Sequence, residues 1–487
     1  MSKAARNYII HGLVALVLCF AIWMIPASNG LSQSGVRALG VFVGMIYGMC
    51  TIGYVAPALI AIFLIGVSGA YSSYTDAIIA CWGNQIVTMT IGLFLFGGVM
   101  GYSGLAKGLA ERIINAKFAT GKPWMLTLVI MLAALIPSML LHPLITVIIV
   151  LNICINIFDK LEIDKTSKWP AGVMLMVVIV SIFAQNILPF QMAVAMDYNI
   201  LSMMSGGKWS LSMCLGAHMG AMAIYTILMC AFLFGFIRVI CKKEDIEKVY
   251  NYKAPERSEP FDSNQKIGLV ILIAFVVCLL LPIVLPDGSG IHHFFSNIGT
   301  TGFCFLFVGI AVALMRKDGK KIFSIKDIAD SGFNWEVMVM LLAISGVCDS
   351  FTAESTGVTA WLTNILQPLV SNMSGYGIFA VLVLFALLIT GFTDDIAIAF
   401  TMIPVVYTLT NNVGLSSLGV MLWVTRANNT AVWLPASCPH IAILYGKTDS
   451  GYITRKKILA YTPILILFTG IMILTFGWYT TANWFPV

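Results

Sequence analysis

The chain has 487 residues, 59% of them hydrophobic and only 10% charged, with a formal net charge of +6. This balance excludes a soluble globular domain, in which about 25% of residues carry charge. It also gives no footing to nucleic-acid binding, because the basic residues sit in short polar loops between apolar runs. Strand-like alternation is absent, so the apolar runs predict membrane-crossing helices and not a barrel.

In chain order, the first apolar run at 8–26 reads as an uncleaved helix and not a removable leader, because the chain behind it is also membrane. Further spans are expected at 36–51, 54–70 and 85–101. Next come 123–141 and 144–158, joined by Leu141-His142-Pro143 and read as a re-entrant hairpin over about 123–158. The segment 170–200 is interrupted by Asn186-Ile187-Leu188-Pro189 and reads as a broken helix, followed by a span at 213–240. A polar linker, 241–266, divides the chain. Beyond it, spans at 267–286, 298–315 and 335–350 lead to a second hairpin, about 376–411, whose arms flank Gly391-Phe392-Thr393-Asp394-Asp395-Ile396. A second broken helix, about 415–446, is interrupted by Leu434-Pro435-Ala436-Ser437-Cys438-Pro439, and 458–480 is the last span.

The expected fold class is therefore an all-α polytopic membrane protein made of two inverted repeats. Each repeat, 1–240 and 267–487, holds a re-entrant helical hairpin and a broken transmembrane helix. The separation from His142 to Asn186 equals that from Asp394 to Cys438. Interrupted segments at corresponding places in two halves point to the binding site of a secondary transporter. With the N-terminus cytoplasmic and the C-terminus outside, all the basic residues except Arg37, Lys208 and Arg426 fall on the cytoplasmic side.

The chemistry is expected at the interruptions. A charge at bilayer depth costs several kcal/mol and persists where it faces a wet cavity or a partner. Asp394 and Asp395 are two adjacent acids at a helix break. Carboxylates and free carbonyls there suit a small hard cation, Na⁺, or a proton, while a single Asp before Ile396 also suits a helix N-cap. Arg426 suits a substrate carboxylate held by two parallel hydrogen bonds, or an ion pair with Asp394 or Asp395. Thr393, Asn428, Asn429, Thr430, Ser437 and Cys438 flank the second hairpin turn and the second break. Gln185, Asn186 and Gln191 flank the first break, and His142 stands at the first hairpin turn. Any of these either binds substrate or satisfies stray backbone groups.

Other signals are set aside. Gly92, Gly97, Gly98 and Gly101 suit close helix packing and are no phosphate loop. The eleven cysteines show no metal-ligand spacing. The sequence offers no evident base-orienting partner for the pair Cys438 and His440, so no enzyme is expected.

The layout resembles the divalent anion/sodium symporter family over most of the chain. The best local match is Leu434-Pro435-Ala436-Ser437-Cys438-Pro439-His440-Ile441-Ala442-Ile443-Leu444-Tyr445-Gly446, similar to the family's Leu-Pro-x-Ala-Thr-Pro-Pro-Asn-Ala-Ile-x-x-Gly. Asn334-Trp335 opening a span, with Gly357 beyond it, resembles the start of the family's second repeat. Family hairpin turns carry Ser-Asn-Thr, where this chain has His142-Pro143-Leu144 and Asp394-Asp395-Ile396. The family's Thr-Pro-Pro-Asn of the first half is replaced by Gln191-Met192-Ala193-Val194. The resemblance implies a secondary transporter in the cytoplasmic membrane that moves a small organic anion, a carboxylate, with Na⁺ or H⁺. It also implies a homodimer in the lipid bilayer and no organic cofactor. The alternatives are a same-fold transporter using Asp394 and Asp395 as counter-charge for a cationic or neutral solute, or an ion channel.

Overall fold

The computed structural model describes residues 3–487 apart from 29, 84, 142, 189–190, 210–212, 256–259, 287–288, 318–319, 322–334, 359, 362–363, 366–367, 369–371, 391–394, 412, 431 and 435–437. The described chain is helical throughout, save for a two-residue antiparallel pair, β1 (Arg316–Lys317) and β2 (Lys320–Lys321).

The first half runs through α1 (Lys3–Trp23), α2 (Gln33–Ile52), α3 (Val55–Val67), α4 (Tyr74–Trp82), α5 (Gln85–Tyr102) and α6 (Leu105–Ile114). Next come α7 (Pro123–Leu140) and α8 (Pro143–Lys160), and then α9 (Lys168–Ala184), α10 (Met192–Met204) and α11 (Leu215–Ile240). The linker holds the short α12 (Lys243–Ile246). The second half contains α13 (Ser263–Val284), α14 (Gly290–Leu314), α15 (Trp335–Thr352), α16 (Gly375–Ile389), α17 (Asp395–Asn411), α18 (Ser417–Asn428), α19 (Pro439–Gly446), α20 (Arg455–Met472) and, after a π-helical turn, α21 (Trp478–Asn483).

Local chemistry sets these starts and stops. Ser32, Ser374 and Ser416 accept the backbone N–H three residues on, and Asp262 with Gln265 forms a reciprocal cap. Prolines open α7 and α19, where a missing N–H costs nothing. Among the described residues, eight helices are long and apolar enough to cross a membrane, α7 and α8 among them. The 15-residue α16 is shorter: at 1.5 Å per residue it rises about 22 Å, less than the ~30 Å hydrocarbon core.

Two half-helices occupy the centre. Every residue from Trp169 to Ala184 in α9 is buried, as is every residue of α18. Each carries a fully buried tryptophan whose indole N–H donates to a threonine hydroxyl at 2.9 Å, Trp169 to Thr127 and Trp423 to Thr480. Around α9 lie α7, α8 and α11; around α18 lie α16 and α17. The continuations of these central helices cross over. After its break, α9 is continued by α10, which packs on α17 and α18 of the other half. After its break, α18 is continued by α19, which packs on α8 and α9. Both breaks are thus held between the two halves.

The polar loops form one hydrogen-bonded layer. Gly121 N–H donates to Tyr252 O at 2.9 Å, and the Asp245 carboxylate accepts Lys168 N–H at 2.8 Å. Lys457 Nζ donates to Ser167 O at 2.8 Å, and Tyr452 Oη to Asp159 at 2.7 Å. Segments that the charge distribution assigns to one face of the membrane therefore touch one another.

At the turn after α15, Ser32 N–H and Ser32 Oγ each donate to Thr356 O at 3.0 Å. Gly357 beside it has φ +68°, and an added Cβ would lie 2.1 Å from Gly30 O. Gly357→Ala is expected to cost about 1–2 kcal/mol for the left-handed backbone alone, and more for the clash. A lowered thermal midpoint of the purified protein checks this.

Candidate functional site

The first break begins where α9 runs out of partners for its last carbonyls. Asn186 supplies two. Its amide Nδ2 donates back to Ile182 O at 2.9 Å, and its backbone N–H to Phe183 O at 3.1 Å. This turns the amide oxygen, Oδ1, away from α9. The Asn186 carbonyl lies 2.9 Å from His218 Nε2 in α11. A carbonyl can only accept, so Nε2 carries the proton; in the neutral ring, Nδ1 then accepts from Tyr198 Oη at 3.0 Å.

Gln191 sits at the other end of the break as the N-terminal flank of α10. Its Nε2 donates to Met139 O at 2.9 Å and to Leu141 O at 3.0 Å. Both hydrogens of the amide therefore close the C-terminal end of α7.

Arg426 reaches this break from α18. It is 1% exposed. Nη1 donates to Asn186 Oδ1, and Nη2 donates to the Asp197 carboxylate on α10 and to Thr425 Oγ1 at 3.1 Å. Asn429 Nδ2 adds a long contact to Asn186 Oδ1 at 3.4 Å. Spacings of three and four put Arg426, Asn429 and Thr430 on one helical face, and Thr430 Oγ1 donates to Arg426 O at 3.2 Å. The result is a buried, neutral guanidinium–carboxylate pair at the C-terminal end of α9, built from both halves of the chain.

The second break is closed by threonines. Thr390, at the end of α16, donates to Asn428 O at 2.8 Å, and Thr462 donates to Val432 O at 3.2 Å. Asn428 lies about 200° around α18 from Arg426, at 100° per residue. Its side chain is fully buried, and neither Oδ1 nor Nδ2 has a partner among the described residues; the same holds for Arg426 Nε. Cys438 precedes α19 in an extended conformation, with its Sγ 3.4 Å from His440 Nδ1.

The structure thus brings Asn186, Arg426 and Asn429 into contact, places Gln191 on the C-terminal end of α7, and sets Asn428 beside Thr390 at the end of α16. Thr430 braces the last turn of α18, and Gln185 is the half-buried residue that follows α9 as its C-cap. His142, Thr393, Asp394 and Ser437 lie outside the described residues, as does the side chain of Asp395, which opens α17. The sequence reading offered Asp394 or Asp395 as the ionic partner of Arg426; among the described residues that partner is Asp197. Asp197, Tyr198 and His218 were not singled out. A signal for Asp197 existed: it is an acid inside an apolar helix, and a buried arginine demands one.

Among the described residues, no group of three or more His, Cys, Asp or Glu side chains is gathered as a metal site. The model of the sodium:sulfate symporter transmembrane region matches residues 6–484. The "Sodium-dependent dicarboxylate transporter SdcS" of Staphylococcus saprophyticus is 23% identical over 93% of this chain and 88% of its own length. The "Uncharacterized transporter sll0640" of Synechocystis is 27% identical over 29% of this chain and 23% of its own. The crystal structure of the Alcanivorax borkumensis YdaH transporter shares the fold, with a TM-score of 0.57 and 12% identity over 98% of this chain and 97% of that one. On the family match across nearly its whole length, this multi-pass chain is a transporter and not an enzyme, and it belongs to the sodium:sulfate symporters, the divalent anion/sodium symporter family of sodium-coupled anion carriers.

Proposed function

We propose that the chain carries a small organic anion, a carboxylate, into the cell with Na⁺. The observation that supports this most is the buried centre in which Arg426 of one half holds Asn186 and Asp197 of the other. Arg426 Nε has no hydrogen-bond partner there among the described residues, and carboxylate recognition would use such a donor. The sodium-dependent dicarboxylate transporter noted above supports the same substrate class.

In this reading the anion sits near the midplane between the two hairpin turns and the two breaks. His142, Gln185, Asn186, Gln191, Thr393, Asn428, Asn429, Thr430, Ser437 and Cys438 supply the surrounding polar groups. Asp394 and Asp395 hold the coupling cation. Segments 123–158 and 376–411 are re-entrant, the halves 1–240 and 267–487 are inverted copies, the N-terminus is cytoplasmic and the C-terminus outside. The resemblance adds a homodimer, in which a static scaffold carries a moving transport unit.

The test is uptake by proteoliposomes against a panel of mono- and dicarboxylates, sulfate, and neutral and cationic solutes. The informative variants are Asp395→Asn and the double variant Arg426→Met with Asp197→Asn, which keeps the centre neutral. We expect the double variant to fold and lose carboxylate uptake. Asp395→Asn should keep substrate selectivity and lose its steep dependence on sodium. Uptake of a cationic solute that survives the double variant and disappears in Asp395→Asn would instead favour the acid pair as a counter-charge.

A further inference from the structure

The place of the Arg426 guanidinium is a place for a cation. The carbonyl end of a half-helix carries partial negative charge, and in broken-helix transporters such ends coordinate small cations. Here α9 ends within the protein, with every residue from Trp169 to Ala184 buried. Beside that end stand two anionic or electron-rich oxygens: Asn186 Oδ1, turned outward because its Nδ2 caps α9, and the Asp197 carboxylate. A carboxylate, an amide oxygen and a helix C-terminus make a donor set for a hard monovalent ion. The two guanidinium nitrogens of Arg426 lie on these two oxygens.

We propose that the first helix break is a monovalent-cation site that this chain fills with its own side chain, Arg426, so that removing the guanidinium opens the site to Na⁺. The groups that face it support the charge balance. From α18 comes Thr425, and from the cap residue after it Asn429; from α11 comes His218, held on the Asn186 carbonyl; from α10 comes Tyr198, bonded to His218. Among the described residues, Asp197 is the single carboxylate in ionic contact with the guanidinium. A tethered cation is never released, so the first break would contribute no sodium to the transport cycle, and coupling would fall to the second hairpin. The inference rests on the sodium-coupled reading for its choice of probe ion, but not on the identity of the substrate.

Thermal unfolding of purified protein, followed by tryptophan fluorescence, tests it in NaCl against choline chloride at equal ionic strength. Arg426→Met leaves the Asp197 carboxylate buried without a counter-charge, so its midpoint in choline should fall well below wild type. Sodium should then raise it saturably, by more than it raises wild type, as for a ligand that binds only the folded state. Adding Asp197→Asn should erase that extra rise. Arg426→Lys, which keeps a tethered cation, should respond to sodium like wild type. The inference is overturned by a sodium response in Arg426→Met no larger than wild type, by the same extra rise in the double variant, or by an extra rise in Arg426→Lys. It also fails if Arg426→Met cannot be recovered even in sodium while the double variant can. The midpoint needs no transport, so a gained sodium response in Arg426→Met alongside absent carboxylate uptake by wild type would sink the substrate reading alone.

Discussion

Asp197→Asn is expected to be among the most damaging single changes in the chain. The substitution is nearly isosteric, so it removes charge without opening a cavity. It leaves the Arg426 guanidinium buried at 1% exposure with no carboxylate among the described residues to neutralise it. Breaking a buried pair by removing one partner costs about 3–5 kcal/mol, whereas removing both charges is far milder. The thermal midpoint and uptake should therefore both collapse in Asp197→Asn, and much of the midpoint should return when Arg426→Met is added. Two residues that did not interact would give additive losses. Sodium should not rescue Asp197→Asn, since the charge left behind is positive; this separates it from Arg426→Met.

Gln191→Glu should come next in severity. The amide places both of its hydrogens on the carbonyls of Met139 and Leu141. A carboxylate offers none and sets its own negative charge against two carbonyl oxygens. An unsatisfied buried polar group costs about 1–3 kcal/mol, and two carbonyls are affected here. The consequence reaches the turn after α7, so uptake should fall by at least about tenfold, the equivalent of ~1.4 kcal/mol. Gln191→Asn, with a shorter reach to the same carbonyls, should fall between wild type and Gln191→Glu. Sodium-driven uptake, normalised to protein in the membrane, reads the series.

Much of the helical plan was legible because its signals are local. Proline, asparagine and glutamine inside apolar runs mark places where a helix cannot continue unaided. The chain does leave helical structure after Ala184 and after Asn428, and it resumes at Met192 and Pro439. Arg426 and Asn186 stood out because a charge and an amide at membrane depth need partners. The pairing between them was not legible, since it joins residues of opposite halves through packing that only the folded chain provides. The same holds for the ionic partner. Adjacent acids at 394–395 drew attention because they are consecutive, while Asp197 is a lone acid whose importance depends on α10 crossing to α18. His218 carried no sequence signal: it is one histidine in an apolar helix, and its role depends on facing the Asn186 carbonyl. The loop layer lies between these cases. The charge distribution assigned its segments to one face, and hydrogen bonds such as Lys457 to Ser167 bring them together.

In the function we propose, a sodium gradient drives an organic anion through the polar centre shared by the two breaks. Its most direct measurement is uphill accumulation of a labelled dicarboxylate in proteoliposomes, with an inward Na⁺ gradient imposed alone and a proton gradient imposed alone. We expect saturable accumulation above the external concentration under the sodium gradient, lost in the charge-neutral double variant at positions 197 and 426. Accumulation that ignores sodium, or that persists undiminished in that folded double variant, would contradict it.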